Sequence, residues 1–294
     1  MSDATLVHKQ YPKQLTLEVD GLTFAAQEWG ARGNLPVLAL HGWLDNSASF
    51  ITLAAKLKDI NLVAVDMAGH GQSSHRHGAA PYNIWEDVAE IFAIADQLGW
   101  QEFALLGHSR GGIIATIAAG TFPKRITHLA LIEGILPEPS RPEDAPKQLA
   151  LSIKGVKAQA VKPLSLYPDL SSAIAARERG MFPLSYAAAK VLAERGIKAV
   201  PGGFNWSTDQ RLLAPSAVKY SLEQTAAFVA LIEAPIKLIL GDTGLPKIFP
   251  SYETYLDKFP QIAVHLISGS HHLHMEEEAD SVAALFNSFF AVMK

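Results

Sequence analysis

Short apolar runs of four to six residues recur along this chain, at 36–40, 62–65, 103–106, 128–132, 236–240 and 262–267. Strands buried on both faces read this way, because neither face meets water and no polar alternation is needed. Stretches with helical spacing fill most of the gaps, at 49–57, 84–98, 111–119, 252–259 and 279–293. Strand and helix therefore alternate, which predicts a mainly parallel sheet with helices on both faces. Ahead of it, alternating segments at 14–19 and 22–29 flank Asp20-Gly21. That dipeptide suits a two-residue antiparallel hairpin. With 294 residues the chain can fill one large α/β domain and still carry an insertion.

The alternation lapses at 137–231, after the sixth expected strand. The lapse opens on Leu136-Pro-Glu-Pro-Ser-Arg-Pro142, whose prolines lack the N–H that a helix interior or central strand requires. Alanine-rich amphipathic segments follow at 149–162, 171–179, 185–195 and 221–231. We read residues 137–231 as a helical cap inserted into an α/β core made of residues 1–136 and 232–294. The aromatic residues of this region, Tyr167, Phe182, Tyr186, Phe204 and Trp206, are expected to pack rather than to line a pocket.

Charge and composition narrow the partners. A formal net charge of −4 lacks the basic footprint of a nucleic-acid binder. With no cysteine, a disulfide framework, a thiol nucleophile and a Cys-ligated zinc site are excluded. The segment from Met1 to Gln14 is polar, and apolar runs such as 113–119 are too short to cross a bilayer. A cytoplasmic chain with no membrane span, acting on a small molecule, is the expectation.

The chemistry concentrates at strand ends. The run at 103–106 leads into Gly107-His108-Ser109-Arg110-Gly111-Gly112, and helical spacing follows. G-x-S-x-G between a strand and a helix lifts a serine hydroxyl clear of the sheet on a sharp turn. Ser109 is thus the candidate nucleophile. The backbone N–H of Arg110, at the start of the helix, is a candidate oxyanion donor. An earlier strand ends in His41-Gly42-Trp43, where the Trp43 N–H is the second candidate donor. His41, Gly42, Leu44, His108 and His272 are expected to line the substrate pocket. A general base titrating near neutrality is sought after the last strand, where His271, His272 and His274 compete. No metal is expected there, because no helical H-E-x-x-H accompanies them. The acid that orients the base is open between Glu133, directly after the run at 128–132, Asp242 and Asp45. Asp66 reads as structural, Arg110 as one partner of an ion pair at its helix start, and Arg76-His77 as a solvated loop.

Taken together, these motifs resemble the α/β-hydrolase superfamily over nearly the whole chain. His41-Gly-Trp-Leu-Asp-Asn46, Gly69-His-Gly-Gln-Ser-Ser-His75 and Gly107-His-Ser-Arg-Gly-Gly112 resemble, more narrowly, the serine hydrolase-like group. The resemblance implies a Ser–His–acid hydrolase without cofactor, with a helical cap and a small acyl substrate. It selects His271 as the base, from the register of Gly269, Ser270, His271, His274 and Glu276. Such hydrolases usually place the acid last in G-x-x-D, but here Gly241-Asp242-Thr243-Gly244 ends in glycine. Ile132-Glu133-Gly134 is similar to the site where some haloalkane dehalogenases carry their acid, which favours Glu133 over Asp242. Those enzymes use an aspartate nucleophile where this chain has Ser109, so their activity does not carry over. A ligand-binding protein, or a perhydrolase, lyase or C–C hydrolase on the same scaffold, are the alternatives.

Overall fold

A computed structural model describes residues 11–249, 252 and 256–292. The expected apolar runs become strands. In chain order these are β1 (Lys13–Val19), β2 (Leu22–Gly30), β3 (Leu35–Leu40), β4 (Ile60–Val65), β5 (Phe103–His108) and β6 (Ile126–Ile132). They continue as β7 (Ile197–Val200), β8 (Gly203–Trp206), β9 (Ile236–Gly241) and β10 (Ala263–Ile267). Eight of the strands form one sheet in the order β1-β2-β4-β3-β5-β6-β9-β10. β1 and β2 make the antiparallel hairpin, with Asp20 and Gly21 both at positive φ (49° and 77°) as the tight turn demands. β2 also runs antiparallel to β4, and every other pair is parallel.

The helices are α1 (Ile51–Ala54), α2 (Ile84–Gln97), α3 (Arg110–Thr121), α4 (Ala145–Val161) and α5 (Leu170–Glu178). After them come α6 (Tyr186–Gly196), α7 (Leu222–Ala230), α8 (Leu245–Ile248) and α9 (Ala279–Phe290). The helix expected at 252–259 lies partly outside the described residues. Side chains of α2, α3 and α7, such as Phe92, Ile114 and Val229, bury one face of the sheet. Leu53 of α1 and Val282, Phe286 and Phe290 of α9 bury the other. Most strand positions between these layers are sealed on both sides, which is why the strands read as unbroken apolar runs. β10 differs: at the sheet edge, Val264 and Leu266 remain exposed.

Between β6 and β9 the chain leaves the sheet. α5 and α6 pack on each other around Ile174, Leu184 and Leu192, joined by Met275. β7 and β8 form a two-stranded ribbon that the sequence pattern did not announce. α7 falls within the expected insertion yet flanks the sheet beside α3; a side chain at Gly120 would lie 2.3 Å from the Phe228 carbonyl oxygen.

Topology sets the place for chemistry. β3, β5, β6, β9 and β10 are mutually parallel, so the loops after them emerge at one edge of the sheet. Those loops begin at His41, Ser109, Glu133, Asp242 and Ser268.

Candidate active site

Ser109 sits between β5 and α3 with φ 51° and ψ −118°, a conformation that a residue with a side chain adopts only under strain. The turn is tight because α3 starts directly beneath β3. A Cβ on Gly111 would stand 2.1 Å from the Leu40 carbonyl oxygen, so only glycine fits there. The Ser109 N–H donates to the Ile132 carbonyl (2.9 Å), tying the turn to the end of β6. On that same strand end, Glu133 is also strained, at φ 51°.

The Glu133 carboxylate is fully buried and takes three N–H donors. Gly241 N–H donates to Oε1 at 2.6 Å, Leu245 N–H to Oε2 at 2.7 Å, and His271 Nδ1–H to Oε2 at 3.0 Å. A Cβ on Gly244 would lie 2.2 Å from the same carboxylate. The glycine that departs from the usual pattern therefore leaves the space that Glu133 fills, having arrived from the neighbouring strand. Asp242 is turned elsewhere: its Oδ1 accepts from the Gly269 N–H at 3.0 Å, joining the loops after β9 and β10.

His271 and Ser109 line one cavity of about 210 Å³, together with Gly42, Trp43, Leu44, His108 and His272. Of the residues expected to line the pocket, His41 alone departs. It is buried, its Nδ1–H donates to the Gly42 carbonyl (2.8 Å), and its Nε2 accepts from the Met67 N–H (3.0 Å). It holds the loop after β3 from behind. The Trp43 indole N–H donates to the Leu212 carbonyl at 2.9 Å, pinning this loop to the segment that carries Leu212. His108 Nε2–H donates to the His271 carbonyl (3.0 Å), fixing the backbone from which the imidazole projects. His274 is buried against His108 and Phe50 and does not reach the cavity.

Four cavity residues escaped sequence reasoning: Arg177, Gly180, Met181 and Phe182. Phe182 stacks on the His271 ring, with centroids 3.9 Å apart and planes at 22°, so an aromatic expected to pack lies against the imidazole itself. Arg177, from α5, donates to Asp45 Oδ1 at 2.7 Å, while His272 Nε2–H donates to Asp45 Oδ2 at 3.1 Å. The pairing of residues 132 positions apart has no local signature. Asp45 is therefore not the acid beside His271. Asp45, His108 and His272 place ligand-type atoms within 4.8 Å of one another. The Arg177 guanidinium already supplies the positive charge at that carboxylate, and a metal would have to displace it. Arg110 bonds Asp87 at 2.6 Å, as expected. The expected solvated loop at Arg76 is instead an ion-pair node, because its guanidinium reaches Glu86, Asp87 and Glu90 within 3.0 Å. Asp66 is structural, bonded by Arg195 at 2.9 Å and by the Ser47 and Gln72 N–H groups at 2.8 Å.

Residues 36–173 match the family model described as the alpha/beta hydrolase fold. Serine hydrolase-like protein 2 of Homo sapiens is 31% identical over 94% of this chain and 93% of its own length. The chain belongs to the serine hydrolase-like group of α/β hydrolases. A serine hydrolase-like protein of Danio rerio is 28% identical over 90% of this chain and 83% of its own. Among solved structures, a hypothetical protein of Pseudomonas aeruginosa PAO1 shares 39% identity, with a TM-score of 0.91 over 95% of this chain and 100% of that one. A thioesterase domain from the curacin biosynthetic pathway shares 26% identity, with a TM-score of 0.80 over 96% and 99% of the two chains.

In this hydrolase, burial sets the charges. Desolvation pushes the Glu133 carboxyl up to about 7, against the pull of the Gly241 and Leu245 N–H groups. Desolvation, helped by His272, pushes His271 down to about 3, so its imidazole is neutral and its Nε2 lone pair is free at physiological pH. Asp45 resists the same burial, because His272 and Arg177 hold its carboxyl well below the usual range.

Proposed function

We propose that this hydrolase cleaves small carboxylic esters, or related acyl substrates, through an acyl-enzyme on Ser109. The observation that carries the reading is the His271–Glu133 bond of 3.0 Å, made by an imidazole that shares its cavity with Ser109. With Nδ1–H committed to Glu133, Nε2 is the atom that takes the hydroxyl proton as Ser109 attacks the acyl carbon. The Trp43 and Arg110 N–H groups stabilise the oxyanion. The imidazolium, steadied by Glu133, then protonates the leaving alkoxide. Water repeats the sequence and releases the acid.

In this reading residues 137–231 act as a cap. Arg177, Gly180, Met181 and Phe182 from that region line the cavity, and Phe182 covers one face of the imidazole. On its other side, Ser109 borders a second cavity of about 420 Å³, lined by apolar groups including Ile113, Leu136, Leu245 and Phe249. That volume lies within the usual range for small-molecule sites and suits a hydrocarbon portion of the substrate. Acyl thioesters share the mechanism, and the likeness to a thioesterase domain brings them into the same substrate panel.

Rapid mixing with a chromogenic short-chain acyl ester tests the proposal. A burst of leaving group stoichiometric with enzyme, and an intact-mass shift equal to the acyl group, are expected in wild type and absent in Ser109→Ala. Turnover that survives in Ser109→Ala would overturn it.

A further inference from the structure

Helix α4 carries an apolar surface that its own fold leaves uncovered. Leu149, Ile153, Val156 and Ala160 step by four, three and four residues and so form one row along the helix, exposed except for the half-buried Val156 at its inner edge. Ser152 is the one buried residue of α4, and its inner side rests on the segment at Ala214 and Pro215. Leu149, Leu151 and Ile153 are exposed, as are Val161 at 83% and, beyond the helix end, Leu164 and Leu166. Apolar groups left open in one neighbourhood mark a contact surface more often than chance.

Charge identifies the partner. Residues 145–168 hold four lysines, Lys147, Lys154, Lys157 and Lys162, and no acidic residue, in a chain whose 29 acids outnumber its 25 Lys and Arg. All four are exposed. The acids just before the helix, Glu143 and Asp144, are drawn to Arg141 at 3.7 and 3.0 Å. On the helical wheel Lys157 lies between the apolar row and Val161, and Lys154 lies just beyond Val161. We propose that α4 and the segment 163–166 dock this protein on an anionic lipid surface. The apolar row would enter the headgroup boundary while the lysines meet lipid phosphates, the arrangement of an interfacial amphipathic helix. A second copy of the chain suits this face less well, because a two-fold contact would set the lysine cluster against itself. Docking also has a consequence for substrate supply. Ala214 and Pro215, on which α4 rests, wall a cavity of about 540 Å³ that shares Ile113 with the apolar cavity beside Ser109.

Vesicle co-sedimentation of the full chain tests the proposal. Binding is expected to vesicles of equimolar phosphatidylglycerol and phosphatidylcholine, weakening as salt rises, with little to pure phosphatidylcholine. Lys154→Glu with Lys157→Glu should weaken it roughly tenfold or more. Leu149→Ser with Ile153→Ser should abolish it, while fluorophosphonate labelling without lipid stays at the wild-type rate in both double variants. Absence of binding at low salt, equal binding by the variants, or self-association that Leu149→Ser with Ile153→Ser breaks would overturn the proposal. Labelling that persists without vesicle binding would remove the docking surface and leave the hydrolase reading standing.

Discussion

The sheet and the excursion at 137–231 are held by different physics. Between the layers of the sheet, residues such as Leu38, Leu105, Leu131 and Leu238 are wholly buried, and hydrophobic burial fixes their positions. The excursion has its own small apolar cluster, and ion pairs fasten it to the sheet edge. Arg177 meets Asp45 and Arg195 meets Asp66, while Asp209, paired with Arg211 inside the excursion, accepts from the Tyr82 hydroxyl and lies 3.4 Å from His75. Apolar burial is non-directional, whereas a guanidinium–carboxylate pair is directional. The strained backbone at Ser109 and Glu133 belongs to the sheet edge, and the contacts over the imidazole come from the excursion. The comparison therefore divides labour: sheet-edge variants should alter turnover at nearly constant stability, and variants of the Arg195–Asp66 pair, which lies outside the Ser109 cavity, the reverse.

The largest expected effect is at the edge. Glu133→Gln should lower kcat roughly 10³- to 10⁴-fold, since the amide supports the wrong tautomer and cannot steady the imidazolium. Its unfolding transition should stay near wild type, whereas Asp242→Asn should leave turnover nearly intact. Next, Arg195→Ala leaves Asp66 buried with two backbone donors and no counter-charge. A loss of about 3 kcal/mol is expected by denaturant titration. A smaller effect is expected from Gly244→Ala, whose methyl would displace the Glu133 carboxylate and lower kcat about 10²-fold, again with little change in melting. Large destabilisation by Glu133→Gln, or lost turnover without destabilisation in Arg195→Ala, would break the division.

The smallest effect is in pH. Turnover needs Glu133 ionised and His271 neutral. His271, pushed down to about 3, stays neutral throughout the working range, so Glu133, pushed up to about 7, governs the acidic limb. As pH falls through about 7 the carboxylate is lost, and kcat/KM should drop about fivefold from pH 7 to pH 6. A limb set by histidine near its ordinary value would instead appear half a unit or more lower.

How much of this was legible follows the same division. The sheet was readable because buried parallel strands leave unbroken apolar runs, and the Asp20-Gly21 turn and the Ser109 elbow carry their geometry in local residue types. Glu133 was legible as a carboxylate at a strand end, although Gly244 makes sense only once the two are seen to share space. The excursion hid more. Residues 197–206 pair as a ribbon too short to show alternation, and Phe182 reaches His271 only through the fold. The links Arg177–Asp45 and Arg195–Asp66 span more than a hundred residues, a separation at which no sequence spacing carries a signal.

The central claim is that His271, oriented by Glu133, activates Ser109. Fluorophosphonate labelling followed by peptide mapping tests it most directly. The account predicts a single adduct, on Ser109, formed orders of magnitude more slowly in His271→Ala. An adduct on another residue, or no adduct on folded protein that turns over esters, would contradict it.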